Sequence, residues 1–115
     1  MMKTTVIAID ANLIKDWPTF HSVFQSALGF PGFYGRNMDA WVDCMDYIDQ
    51  PESRMTSIVI GEGDLLALRI DKCEEFKRRC PEQFSALIEC TAFVNFRRTS
   101  QGRRSMIALL LSGDL

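Results

Sequence analysis

Asp39, Asp43 and Asp46 recur at i, i+4 and i+7, a spacing that sets three carboxylates along one side of a helix. Such a row can do several things. Asp39 and Asp43, one turn apart, could share a hydrated magnesium ion or divide acid–base work between them. The row could meet a cationic partner, or it could be a solvated face, which is the plainest use of acidic residues on a helix. Magnesium or acid–base chemistry needs further ligands or a second catalytic group, and no nearby residue supplies either. The phosphate-cradling GxxxxGK[ST] and GxGxxG patterns are absent, as are GxSxG and HExxH. Cys44, Cys73, Cys80 and Cys90 match no zinc spacing and read as structural thiols, with no disulfide expected between Cys73 and Cys80 in a reducing compartment. The single histidine, His21, lies beside Phe20 and Phe24 and reads as a packing or surface residue rather than a base. The expectation is a protein that is not an enzyme and uses no metal or cofactor.

The acidic row needs a helix to hold it. Asn37 is a good N-cap, and Trp41, Cys44 and Ile48 fall on the side opposite the acids, so a two-faced helix is expected over about Asn37–Asp49, ending before Pro51. Residues 30–36, with Pro31-Gly32 and Gly35, form the loop before it, and Gly35 suits either a positive φ or a close backbone approach. Upstream, Thr4–Asp10 reads as a strand. Asp16-Trp17-Pro18 opens a helix with the stripe Phe20, Val23, Phe24 and Leu28, stopped by Gly29. Downstream, Thr56–Gly61 reads as a second strand. Asp64 is expected to cap a third helix running through Leu65, Leu68 and Phe76, with a charged tail at residues 74–79. Pro81 starts a fourth helix to about Arg98, with Phe84, Leu87, Ile88 and Thr91 on one side, and Ser105–Ser112 is the last strand. Strands alternating with helices predict a small parallel sheet, and the apolar second and third strands predict burial on both faces. The chain is thus expected to form one α/β domain over residues 1–115.

Composition narrows the function classes. The chain has 115 residues, 47% of them hydrophobic and 24% charged, as in an ordinary globular protein. No apolar run approaches the roughly 20 residues that span a bilayer, and the N-terminal run is too short for a secretory h-region, so a cytoplasmic protein is expected. The net charge of −2 hides an asymmetry. Residues 1–52 carry seven acids against Lys3, Lys15 and Arg36, whereas residues 53–115 carry ten bases and eight acids. An acidic first half disfavours nucleic acid as a direct ligand and favours a cationic protein. Arg97, Arg98, Arg103 and Arg104 form a separate basic cluster.

The stretch Phe30–Met45 resembles the signature of the barstar family, small intracellular inhibitors of secreted or toxin ribonucleases. The frame is an apolar residue, proline, any residue, two aromatics (Phe33, Tyr34), Gly35, any residue, Asn37, Met38, Asp39, Ala40, two apolar residues, Asp43 and Cys44. The resemblance implies three parallel strands packed against about four helices, over nearly all of the chain. It also implies an inhibitor or immunity protein, bacterial and monomeric, that occludes a ribonuclease active site. Asp43 corresponds to the aspartate that enters that site, Asp39 to a second acidic contact, and Phe33 to a contact aromatic. Gly35, Asn37 and Met38 belong to the loop and helix start that touch the enzyme. Val42 and Asp46 complete the expected partner surface.

Three positions depart from the family pattern. Phe33 lacks a tyrosine hydroxyl, and Val42 stands where a large aromatic is often found. Arg98 falls near an expected acidic contact, where it would repel a cationic site. Its other readings are complementarity to the helix dipole and a contact to an acidic patch on a different partner. The alternative function is a barstar-fold interaction module whose basic partner is not a ribonuclease.

Overall fold

The computed structural model describes residues 2–114. In chain order the elements are β1 (Thr4–Ile9), a 3-10 turn at Ala11–Leu13, α1 (Trp17–Leu28), α2 (Met38–Asp46), a second 3-10 turn at Pro51–Ser53, β2 (Leu65–Ile70), α3 (Cys73–Arg79), α4 (Pro81–Ser100) and β3 (Ile107–Leu111). The sheet order is β1-β2-β3 and both pairings are parallel, with Ile7 opposite Leu68 and Leu68 opposite Leu109. This is the α/β architecture expected, three parallel strands and four helices.

Local chemistry sets the first half. Asp16 caps α1 through a capping box: its carboxylate accepts the Thr19 N–H at 2.9 Å while the Thr19 hydroxyl accepts the Asp16 N–H at 3.0 Å. Gly29 ends the helix at φ +67°, a conformation that glycine adopts without penalty. A side chain there would also collide with Ser57. Asn37 caps α2, its Oδ1 accepting the Ala40 N–H at 2.8 Å. Phe20, Phe24, Trp41 and Met45 from these helices, with Ile48 just past α2, join Leu66, Leu68 and Ile70 of the central strand in one hydrophobic core.

The second half departs from the sequence reading in three places. The expected helix from Asp64 splits into β2 and α3, and Asp64 accepts the Lys3 N–H at 2.9 Å instead of capping a helix. Leu-Leu-Ala-Leu favours a helix on its own. Here Leu66, Ala67, Leu68 and Ile70 are buried between two strands, and that burial overrides propensity. The expected strand Thr56–Gly61 is not in the sheet. It runs as an irregular segment fastened by Ser57 N–H to the Leu28 carbonyl and Ile60 N–H to the Ile48 carbonyl, with Ile60 buried and Val59 exposed. Finally, β3 is an edge strand rather than one buried on both faces. Ala8, Arg69 and Leu110 stand opposite one another on a face of the sheet that the helices leave uncovered. Smaller shifts accompany these: α2 stops at Asp46 and Ile88 is exposed.

Cys44, Cys73 and Cys80 are buried and Cys90 half-buried, all free thiols. Burial pushes the Cys44 thiol up to about 11, an inert group at neutral pH. Gly29→Ala should destabilise the chain by about 2 kcal/mol, from a positive φ and a steric clash together. A urea unfolding midpoint unchanged from that of the wild type would show that the turn relaxes freely.

Candidate acidic interface and its supports

The loop before α2 is tied down from beneath. Tyr34 is buried, its ring against Phe30 and its hydroxyl 2.6 Å from His21 Nδ1 on α1. Arg36 adopts φ +56°, unusual for a residue with a side chain, and three hydrogen bonds hold it there. Its guanidinium donates to the Pro18 carbonyl, the Ser22 hydroxyl and the Gln25 side chain. The positive φ foreseen as a possibility at Gly35 falls on Arg36 instead. At Gly35 a Cβ would meet the Ala40 and Asn37 side chains at 3.4 Å, an ordinary van der Waals contact, so neither a positive φ nor a close approach demands glycine there. With Tyr34 turned inward, its neighbour Phe33 is left 76% exposed.

Helical phasing from Asn37 then decides what faces outward. Asp39 and Asp43 are exposed one turn apart, while Trp41, Cys44 and Met45 are buried. Met38 is half-buried. Val42, expected at the partner surface, is only 6% exposed. It forms part of the floor of a groove of about 360 Å³ between α2 and α4, lined also by Met38, Cys90, Phe93 and Arg97.

Asp46 is the clear correction. Its phase matches that of Asp39, yet it is 6% exposed because the end of α4 and the following loop close over the last turn of α2. Its carboxylate meets Arg97 at 2.9 Å, Arg103 at 3.2 Å and Arg98 at 3.9 Å. It therefore offers no free charge to a partner.

Arg98 is corrected with it. At 2% exposure it is neither a surface repellent nor a contact for a partner's acids, while its place in the last turn of α4 keeps it complementary to the helix dipole. It bonds Asp49 at 2.8 Å, the Asp46 carbonyl at 3.1 Å and, through Nε, the Arg104 carbonyl at 3.0 Å. Arg97 is raised above an ordinary arginine by its hydrogen bond to Asp46 and by the Asp43 charge, and stays cationic.

Phe93, which lines that groove, and Phe96 are both exposed on α4, and the sequence reading missed both. A signal was available. Phe84, Leu87, Thr91, Val94 and Arg98 form the buried i, i+3, i+4 stripe, which places Arg98 inside and leaves Phe93 and Phe96 off it. Among the described residues, no group of three or more His, Cys, Asp or Glu side chains is gathered to hold a metal ion. No helix among them is long and apolar enough to cross a membrane.

The loop, cap and outward aspartates match a frame known elsewhere. The family model described as Barstar (barnase inhibitor) matches residues 4–110, nearly the whole chain. The chain belongs to the barstar family. A comparison with curated proteins found no match. Phe33, Gly35 and Asp43 line one shallow groove and Met38, Asp39 and Asp43 another that shares Asp43 with it, whereas Asp46 is buried.

Two expectations follow from the supports. Removing one member of a buried ion pair strands the other, so Asp49→Ala should cost about 3 kcal/mol of stability, read as a lower urea midpoint. A loss under about 1 kcal/mol would mean that solvent replaces the carboxylate. His21 is held below the ordinary imidazole value by burial and then by Arg36. An unfolded chain thus binds the proton more readily. Stability should be fully present above about 6.5 and fall as pH drops below it toward the lower folded value. The stability difference between wild type and His21→Phe should shrink over that same window, and a constant difference would contradict the assignment.

Proposed function

We propose that this protein is a barstar-type ribonuclease inhibitor, an immunity protein acting inside the cell that makes the ribonuclease. It acts by occlusion and is not itself an enzyme. A ribonuclease must gather cationic groups to hold a phosphodiester backbone, and an acidic surface of matched shape can take the place of those phosphates. The observation that carries this reading is the pairing of exposed Asp39 and Asp43 on the capped first turns of α2 with exposed Phe33 on the adjoining loop. The carboxylates would meet the cationic groups, and the aromatic side chain would supply buried contact area at low entropy cost. Opposite charges on the two surfaces would also speed encounter at low salt.

The footprint is proposed to comprise Phe33, Gly35, Asn37, Met38, Asp39 and Asp43, with the edge of Val42 in the adjoining groove. Asp46 is left out because it is neutralised internally. Arg98, buried against Asp49, does not count against a cationic target. The smaller contact area at Val42 and the missing hydroxyl at Phe33 bear on which ribonuclease fits, not on the mode of binding.

Titration into secreted guanyl-preferring and toxin-type ribonucleases should abolish cleavage near one-to-one stoichiometry. Asp43→Ala should weaken inhibition by about 2 kcal/mol or more, roughly thirtyfold. Glu52→Ala, an exposed acid on the turn at Pro51–Ser53, should change it little. Asp49 is unsuitable as that control, since it pairs with Arg98. Equal losses for Asp43 and Glu52 would misplace the interface. No inhibition across a broad panel, with binding to some other basic protein, would favour a barstar-fold module with a different target.

A further inference from the structure

Arg97 stands where an incoming cation would need to sit. Its Nη2 lies 2.9 Å from Asp46 Oδ2 and 3.6 Å from Asp43 Oδ1, and its guanidinium is 5.9 Å from the centroid of the Phe93 ring. The Asp43 side chain is 57% exposed and that of Arg97 33%, so this pair is at the surface and open to exchange. Behind it the charges are closely matched. Asp43, Asp46 and Asp49 face Arg97, Arg98 and Arg103, so the seam between α2 and α4 is balanced only while Asp43 is counted. Arg97 is the one of these three arginines that reaches Asp43.

We propose that Arg97 is a specificity-determining residue, an internal cation that occupies Asp43 in the free protein and must be displaced by the partner's own cation. This rests on the reading of Asp43 as the centre of the partner surface. An exposed ion pair of this length is weak, so the competition it imposes is modest, roughly twofold to fivefold in affinity. It filters partners by geometry. A guanidinium able to form two parallel hydrogen bonds displaces Arg97, whereas a loosely placed ammonium gains little. Arg97 can move aside without unbalancing the core, because Asp46 keeps Arg103 at 3.2 Å.

The test compares Arg97→Gln, Arg97→Lys and Arg104→Gln in the full chain. Arg104 is exposed, and its side chain makes no ion pair among the described residues, so its removal changes the net charge alone. The probe is a tetra-arginine peptide, with binding followed by amide NMR shifts over residues 39–46. Arg97→Gln should bind it roughly twofold to fivefold more tightly than both wild type and Arg104→Gln. Arg97→Lys should stay near wild type, and adding Asp43→Asn should erase the gain. Equal affinities for Arg97→Gln and Arg104→Gln would overturn the proposal, leaving only net charge. Weaker binding by Arg97→Gln would also overturn it. A parallel assay against a secreted guanyl-preferring ribonuclease separates the two readings. Failure of wild type and Arg97→Gln alike to inhibit would sink the ribonuclease assignment, while the peptide series still decides the role of Arg97.

Discussion

The buried guanidinium of Arg98 is the constraint on which the rest of the surface depends. It sits at the end of α4, beneath the last turn of α2, and holds the Asp49 carboxylate, the Asp46 carbonyl and the Arg104 carbonyl together. A charge this deep is tolerable only when its donors are matched by well-placed acceptors. Those acceptors come from two segments, the end of α2 with the residues just after it and the loop after α4, so satisfying the charge ties these together. The tilt and depth of α2 follow, and with them the outward aim of Asp39 and Asp43. Core packing of Trp41 and Met45 fixes which side of α2 turns inward. The arginine fixes where its C-terminal end lies.

The same seam changes the meaning of the charge asymmetry along the chain. An acidic first half and a more basic second half suggest an anionic protein seeking a cationic partner. Part of that partner is the chain itself, since Arg97, Arg98 and Arg103 from the second half neutralise Asp46 and Asp49 of the first. What remains outward along α2 and its loop is smaller and better defined: Asp39, Asp43 with Arg97 beside it, and the exposed ring of Phe33.

Sequence periodicity was a good guide wherever one element's own chemistry decides its structure. The caps at Asp16 and Asn37, the stop at Gly29, the inward Trp41 and the outward Asp39 and Asp43 all depend on local spacing. It misled where a neighbour decides. Leu65–Ile70 reads as helix until two flanking strands bury it. Asp46 shares the phase of Asp39 and differs only in what covers it. Arg98 looked like a surface charge because arginine is rarely buried, although the stripe of Phe84, Leu87, Thr91 and Val94 passes through its position.

Arg36 carries a consequence for the kinetics of recognition. Its left-handed backbone and three side-chain anchors, with Tyr34 packed beneath, settle the loop's conformation when the chain folds. The entropy of ordering that segment is therefore spent before any encounter and is not deducted from the binding free energy. On the proposed function the loop would dock preorganised, and rearrangement on binding would be confined to side chains such as Arg97. Collision orientation and long-range charge would then govern how fast such a complex forms, and short-range contacts at the loop and helix how long it lasts.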